Sequence, residues 1–247
     1  MEFSSPYFCK ERIKAAIVIL NWNGKGFLEK FLPGVIGNCP EYARVFVADN
    51  ASTDDSISFL KEKFPQVVLI ELESNTGYTG GYNQSLELID AEYYILMNSD
   101  IMVDTAWIEP IISLMDSDTE IAACQPKIRS YSHPEYFEYA GAAGGFIDIL
   151  GYPFCRGRIF ETIEMDHSQY NDTTEIFWAT GACMVVRAKD FWEAGAFDND
   201  FFAHMEEIDL CWRLKKIGKK IMYCADSTVY HVGGGTLPKS SPRKTYL

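Results

Sequence analysis

Four short apolar runs, each ended abruptly by polar residues, constrain this chain more than any other feature. Residues 15–20, 45–48, 67–70 and 93–97 are continuously apolar. A run of that length without alternation marks a strand buried on both faces. Helical spacing lies between the runs. Ile57, Leu60 and Phe64 mark one helix face after a cap at Ser52 or Asp54. Leu86 and Ile89 mark a second, and Trp107, Ile111, Leu114 and Met115 a third. Strand–helix alternation of this kind predicts a mostly parallel α/β sheet with right-handed crossovers. Such sheets bind ligands beyond the carboxyl ends of their strands. Three of those ends read Asn21-Trp22-Asn23-Gly24, Asp49-Asn50-Ala51-Ser52 and Asn98-Ser99-Asp100.

The pattern changes after Lys127. Residues 129–174 are rich in Gly, Tyr and Pro and read as loops with short antiparallel strands. A strand over 182–186, a helix from Ala188, a helix over 206–217 ended by Gly218, and strands over 220–224 and 228–231 follow. No Pro- or Ser-rich linker divides the 247 residues. The expected organisation is one domain with two lobes, residues 13–127 and 128–247.

Charge and cysteine usage narrow the function. Lys and Arg number 22 against 35 Asp and Glu, a net charge of −13. That surplus repels phosphate backbones, which argues against nucleic acid, and disfavours a bare anionic bilayer. An anionic ligand would need local positive charge, and a bound metal ion is the simplest source. The seven cysteines are odd in number and form no C-x-x-C pair, which fits a reducing cytoplasm. The run over 15–20 is too short to span a bilayer, and the first residues carry no signal-peptide pattern.

Several clusters suit particular chemistry. Asp49 to Asp54 follows a strand and opens a helix; it reads either as simple capping or as a carboxylate that accepts from a nucleobase N–H. Residues 75–83 form a Gly-rich loop entering a helix, without the Walker Lys or G-x-G-x-x-G spacing. Asn98-Ser99-Asp100 reads either as a plain turn, the commoner use of such a tripeptide, or as a site for a hard divalent ion on a diphosphate, since Mg²⁺ needs one or two protein carboxylates when phosphates supply the rest. Glu206 and Glu207 open a helix whose Ile208, Cys211 and Leu214 would face the core. They read as favourable dipole placement or as a general base at a cleft. His231, at a strand end before a Gly run, reads either as a surface or satisfied histidine, the commoner case, or as a neutral imidazole that completes a metal site.

These motifs, in this order, resemble the family 2 glycosyltransferases of the GT-A fold, in particular the rhamnosyltransferase-like branch. The resemblance rests on residues 17–23, 49–54, 75–83, 98–100, 180–187, 197–198, 206–213 and 231–234, and runs from about Ile13 to the last residue. It implies transfer of a sugar from a nucleoside diphosphate sugar to an acceptor hydroxyl, with inversion, in cell-surface polysaccharide or glycan biosynthesis. The acceptor would be a saccharide or a lipid-linked saccharide. By position, Asp49, Asn21, Trp22 and Asn23 would hold the base. Ser52, Asn75, Gly77, Asn83, Asn98 and Ser99 would line the nucleotide and sugar. Asp100, His231 and Asn98 would hold Mg²⁺ or Mn²⁺, and Glu207 would be the base, with Glu206 just before it.

Two residues depart from the family pattern. Glu207 stands where Asp is usual, and Asn98 where many relatives have Asp. The branch normally continues beyond residue 247, so a C-terminal truncation is expected, with any membrane-associating part lying there. The full-length protein would be cytoplasmic, peripheral at the inner face of the membrane. A catalytically silent nucleotide-sugar-binding module is the alternative, and a Rossmann-type oxidoreductase is disfavoured by the absent G-x-G-x-x-G.

Overall fold

The computed structural model describes residues 12–233. The four apolar runs become strands β1 (Ile13–Asn21), β2 (Ala43–Asp49), β3 (Val68–Glu71) and β4 (Ala91–Asn98). They lie parallel in the order β3-β2-β1-β4. Successive side chains of a strand point to opposite faces, and both faces of β1 are covered. Ala15, Ile17 and Ile19 pack with Leu28, Leu32 and Val35 of helix α1 (Lys25–Gly37) and Leu60 of α2 (Ser56–Lys63). Ala16 and Val18 pack with Tyr82 and Leu86 of α3 (Gly77–Leu86).

Three elements differ from expectation. The cap before α2 is shared: Asp55 immediately precedes the helix, and the Asp54 carboxylate accepts the Ser56 N–H at 3.0 Å, while Ser52 is used elsewhere. The Gly-rich stretch is not a loop leading to a helix but the helix itself, beginning at Gly77. Its glycines allow close approach to β1: a Cβ on Gly81 would sit 2.8 Å from Leu20 Cδ1. The two strands expected over 220–224 and 228–231 are halves of one, Lys220–His231, with a register shift between Cys224 and Thr228.

The second half extends the same sheet. After β5 (Ile101–Val103), α4 (Glu109–Ser117) and β6 (Ile121–Ser130) comes a separate antiparallel sheet, β7 (Gly145–Ile147), β8 (Pro153–Cys155), β9 (Arg158–Ile159) and β10 (Thr162–Ile163). Strands β11 (Thr174–Ile176) and β12 (Cys183–Arg187), helices α5 (Ala188–Glu193) and α6 (Glu206–Lys216), and β13 (Lys220–His231) return to the main sheet. Its order is β11-β13-β6-β12-β4-β1-β2-β3, with β5 paired to β13. Strand β6 runs straight through Lys127, so residues on both sides of that position belong to one sheet. Among the described residues, no helix is long and apolar enough to cross a membrane. Gly234 and the residues after it, where the truncation was read, lie outside the described residues.

Candidate active site

The carboxyl ends of three parallel strands lie side by side, because register pairs Asn21 with Asp49 and Leu20 with Asn98. Asp49 is fully buried. Its Oδ2 accepts from Asn21 Nδ2 at 2.8 Å and its Oδ1 from the Ser52 N–H at 2.8 Å. Asp49 and Asn21 therefore brace the cradle from within. Ser52 Oγ takes the Asn23 N–H at 2.9 Å, and Asn23 Oδ1 takes the Thr53 and Asp54 N–H groups at 2.7 and 3.2 Å. Trp22, directly after β1, is 47% exposed.

Part of the expected lining of the nucleotide and sugar is engaged in contacts within the protein. Asn83 turns away from the cradle: its Nδ2 donates to Phe197 O at 2.8 Å and Asn199 Oδ1 at 3.0 Å, and its Oδ1 accepts the Phe197 N–H. Gly77, at φ +77°, lies against a loop, where a Cβ would meet Phe202 O at 2.5 Å. Asn75 Oδ1 takes the Gly77 N–H at 2.9 Å and Asn50 Nδ2 at 3.1 Å, while Asn50 Oδ1 takes the Thr76 N–H. Asn50 is thus a pivot between the two motifs, a role its sequence context does not mark.

Asp100, Asn98 and His231 come together in space. Strand β5 folds back on β13 with His231 opposite Ile101, which sets His231 beside Asp100. His231 Nε2 lies 3.2 Å from Asp100 Oδ1 and 3.5 Å from Asn98 Nδ2. Its Nδ1 lies 3.4 Å from Glu138 Oε1. Burial opposes a charge on the imidazole, but the Asp100 and Glu138 carboxylates outweigh it and push its pKa up to about 10. Among the described residues, no three His, Cys, Asp or Glu side chains form a cation cage by themselves. The donors nevertheless fit a hard divalent ion that takes its other ligands from phosphate. Asp100 supplies a carboxylate, Asn98 an amide oxygen after a flip, and His231 an Nε2 steadied from behind by Glu138. Glu138 sits in the aperiodic Gly/Tyr-rich stretch, where no sequence signal marks it. Ser99 stays at the mouth, half-buried.

The acidic pair lies across one backbone segment from this site. Asn98 N–H donates to Ala182 O at 3.0 Å, and Tyr78 Oη donates to Gly181 O at 2.7 Å. The Glu207 carboxylate takes hydrogen bonds from the Gly181 and Met205 backbone. His204 and Met205, at φ +74° and +71°, turn the chain sharply into α6. Left-handed residues other than glycine cost of order 1–3 kcal/mol each, so the turn holds a demanding geometry. Ile208, Cys211 and Leu214 are buried as expected. Both Glu206 and Glu207 have a buried Oε2 with no partner. Burial, then the Glu207 charge, pushes Glu206 up to about 8; burial also raises Glu207, against the backbone donors that lower it. Glu206 is enclosed, whereas Glu207 keeps some surface.

Residues 16–195 match the sequence family described as Glycosyl transferase family 2, which is most of the chain. This chain belongs to that family. The matched span holds the cradle and Asp100; Glu206, Glu207 and His231 lie beyond it. Among curated relatives, the chain is 26% identical over 233 residues to the N-acetylglucosaminyl-diphospho-decaprenol L-rhamnosyltransferase of Mycobacterium tuberculosis, covering 87% of this chain and 75% of that one. It is 24% identical over 216 residues to rhamnosyltransferase WbbL of Escherichia coli, covering 84% and 79%. Similar folds include GalNAc-T7 with UDP, GalNAc and Mn²⁺ (TM-score 0.70, 15% identity, 90% of this chain, 44% of that chain). A Pyrobaculum calidifontis mannosyltransferase with GDP-Man and Mn²⁺ gives 0.62 at 13% identity, covering 90% and 57%. These solved chains are much longer than their matched part. The family 2 domain here has the GT-A architecture, a mostly parallel sheet with a small antiparallel sheet beside it.

Proposed function

We propose that this chain is an inverting glycosyltransferase that moves a sugar from a nucleoside diphosphate sugar to the hydroxyl of a saccharide, carried on a lipid diphosphate as the mycobacterial relative's name describes. The observation that carries this reading is the placement of two buried carboxylates, Glu206 and Glu207, one backbone segment away from the Asp100–His231 pair. Trp22 would pack on the base, while Asn21, Asp49 and Ser52 keep the cradle in shape. Asp100, His231 and Asn98 would hold Mg²⁺ or Mn²⁺. That ion supplies positive charge to a departing diphosphate, which is how a chain of net charge −13 accommodates an anionic donor.

Glu207 would take the proton of the acceptor hydroxyl on the face opposite the leaving group. Oxygen attacks the anomeric carbon as the bond to the diphosphate breaks, so one base suffices and no covalent nucleophile is needed. Burial suits this role, since a raised carboxylate is a stronger base. Glu206 stays enclosed behind it, protonated at neutral pH.

The test is release of nucleoside diphosphate from a panel of UDP-, GDP- and dTDP-sugars, with lipid diphosphate-linked saccharide acceptors, with and without Mn²⁺. Metal-stimulated, acceptor-dependent release from one donor is expected. Donor binding without release from any donor–acceptor pair would instead identify a silent binding module.

A further inference from the structure

The small antiparallel sheet ends in an apolar tip that the transfer reaction does not use. Ile147 pairs with Pro153, Cys155 with Arg158 and Ile159 with Thr162. A meander with these registers puts the 148–152 and 160–161 turns at the same end. Ile149 is 100% exposed, Phe160 87% and Leu150 78%; Tyr152, Ile159 and Phe154 are also exposed. No charged residue occurs from Ile149 to Phe154. A contiguous exposed apolar cluster on an otherwise acidic protein marks an interaction surface.

The exposure and hydrogen bonding of the tip select its partner. The side chains of both turns stand largely in solvent, Ile149 completely so, which suits insertion into a deformable apolar phase. The larger turn meets four of its five N–H groups from within: Asp148 Oδ1 accepts the Leu150 and Tyr152 N–H groups at 2.8 and 2.9 Å. The Asp148 N–H donates to Tyr152 O and the Gly151 N–H to Asp148 O, both at 3.0 Å. Entry into lipid demands that backbone groups be satisfied internally, and a strand-adding protein partner would need them open. Phe146 stacks on Phe154 at 5.7 Å and stiffens the stem. The stem also leads to the active site. Glu138, against His231, begins the segment that becomes β7, and the Phe177 N–H holds Gly145 O at 2.8 Å.

We infer that the 148–152 and 160–161 turns dock this protein on a bilayer by inserting Ile149, Leu150 and Phe160 into the lipid interface. The attraction is apolar, because a chain of net charge −13 gains nothing from anionic headgroups. This places the docking element within the described domain.

Flotation of the full chain with vesicles of phosphatidylcholine alone tests the inference, and it needs neither donor nor acceptor. The wild type should float, and raising NaCl from about 0.1 M to about 0.5 M should change partitioning by less than about twofold. The combined variant Ile149→Ser, Leu150→Ser, Phe160→Ser should lose at least about tenfold of its partitioning, with an unchanged circular dichroism spectrum and melting temperature. Leu150→Trp should show a blue-shifted emission on the same vesicles. A wild type that stays in solution, a triple serine variant that floats equally, or a Leu150→Trp variant whose emission does not move would overturn it. So would a triple variant that only converts a dimer to a monomer.

Discussion

Replacing Glu206 with glutamine probes the acid pair through folding stability. Glu206 is 4% exposed, its Oε2 has no partner, and its carboxyl is raised from 4.5 to about 8, first by burial and then by the Glu207 charge. The folded-state pKa lies above the unfolded value. The stability that the bound proton confers is therefore complete below pH 4.5 and is lost as pH rises towards 8. Within that window the unfolded chain has released the proton and the folded chain still holds it. Each pH unit there removes about 1.4 kcal/mol, against a total stability of about 5–15 kcal/mol for an ordinary domain. Glutamine has no proton to lose. Urea unfolding of both proteins from about pH 5 to about pH 9 should show Glu206→Gln gaining on the wild type with every unit, then levelling off above 8. Glu207→Gln removes the second cause of the shift, so the window should close at lower pH in that variant. Parallel stability curves for wild type and Glu206→Gln would refute the placement of Glu206 as a buried, proton-holding carboxyl.

The Glu207→Gln protein should bind donor as the wild type does and lose about 10²–10⁴-fold in turnover, read as diphosphate release; retained turnover would move the base elsewhere. Asp100→Ala should weaken binding of a nucleoside diphosphate when Mn²⁺ is present and leave metal-free binding unchanged, as titration calorimetry would show. Gly77→Ala should destabilise by about 1–3 kcal/mol, because alanine is strained at φ +77° and its Cβ would run into Phe202 O; an unchanged melting temperature would contradict that packing.

Local pattern made some of the site legible and hid the rest. Asp100 and His231 were picked out as strand-end residues with chemical character, and register brought them together. Glu206 and Glu207 were visible as an acidic helix start. Asn83 and Gly77 share a motif with Asn75, yet their partners, Phe197 and Phe202, lie far along the chain. The pattern gives no hint of such contacts, because it says nothing about partners more than a hundred residues away. Glu138 carries no such signal, because the stretch around it has neither period nor spacing.

Continuous apolar runs alone determined the parallel strands and the carboxyl-end location of the cradle, because burial on both faces is a short-range property of composition. The tertiary structure decided which polar atoms are already used up within the protein. It folded β5 onto β13 to make the Asp100–His231–Glu138 chain, enclosed Glu206, and aligned two apolar turns at one end of a meander. Each of these depends on partners brought together by strand pairing or chain closure, and a hydrogen bond or an exposed face exists only once both sides are in place.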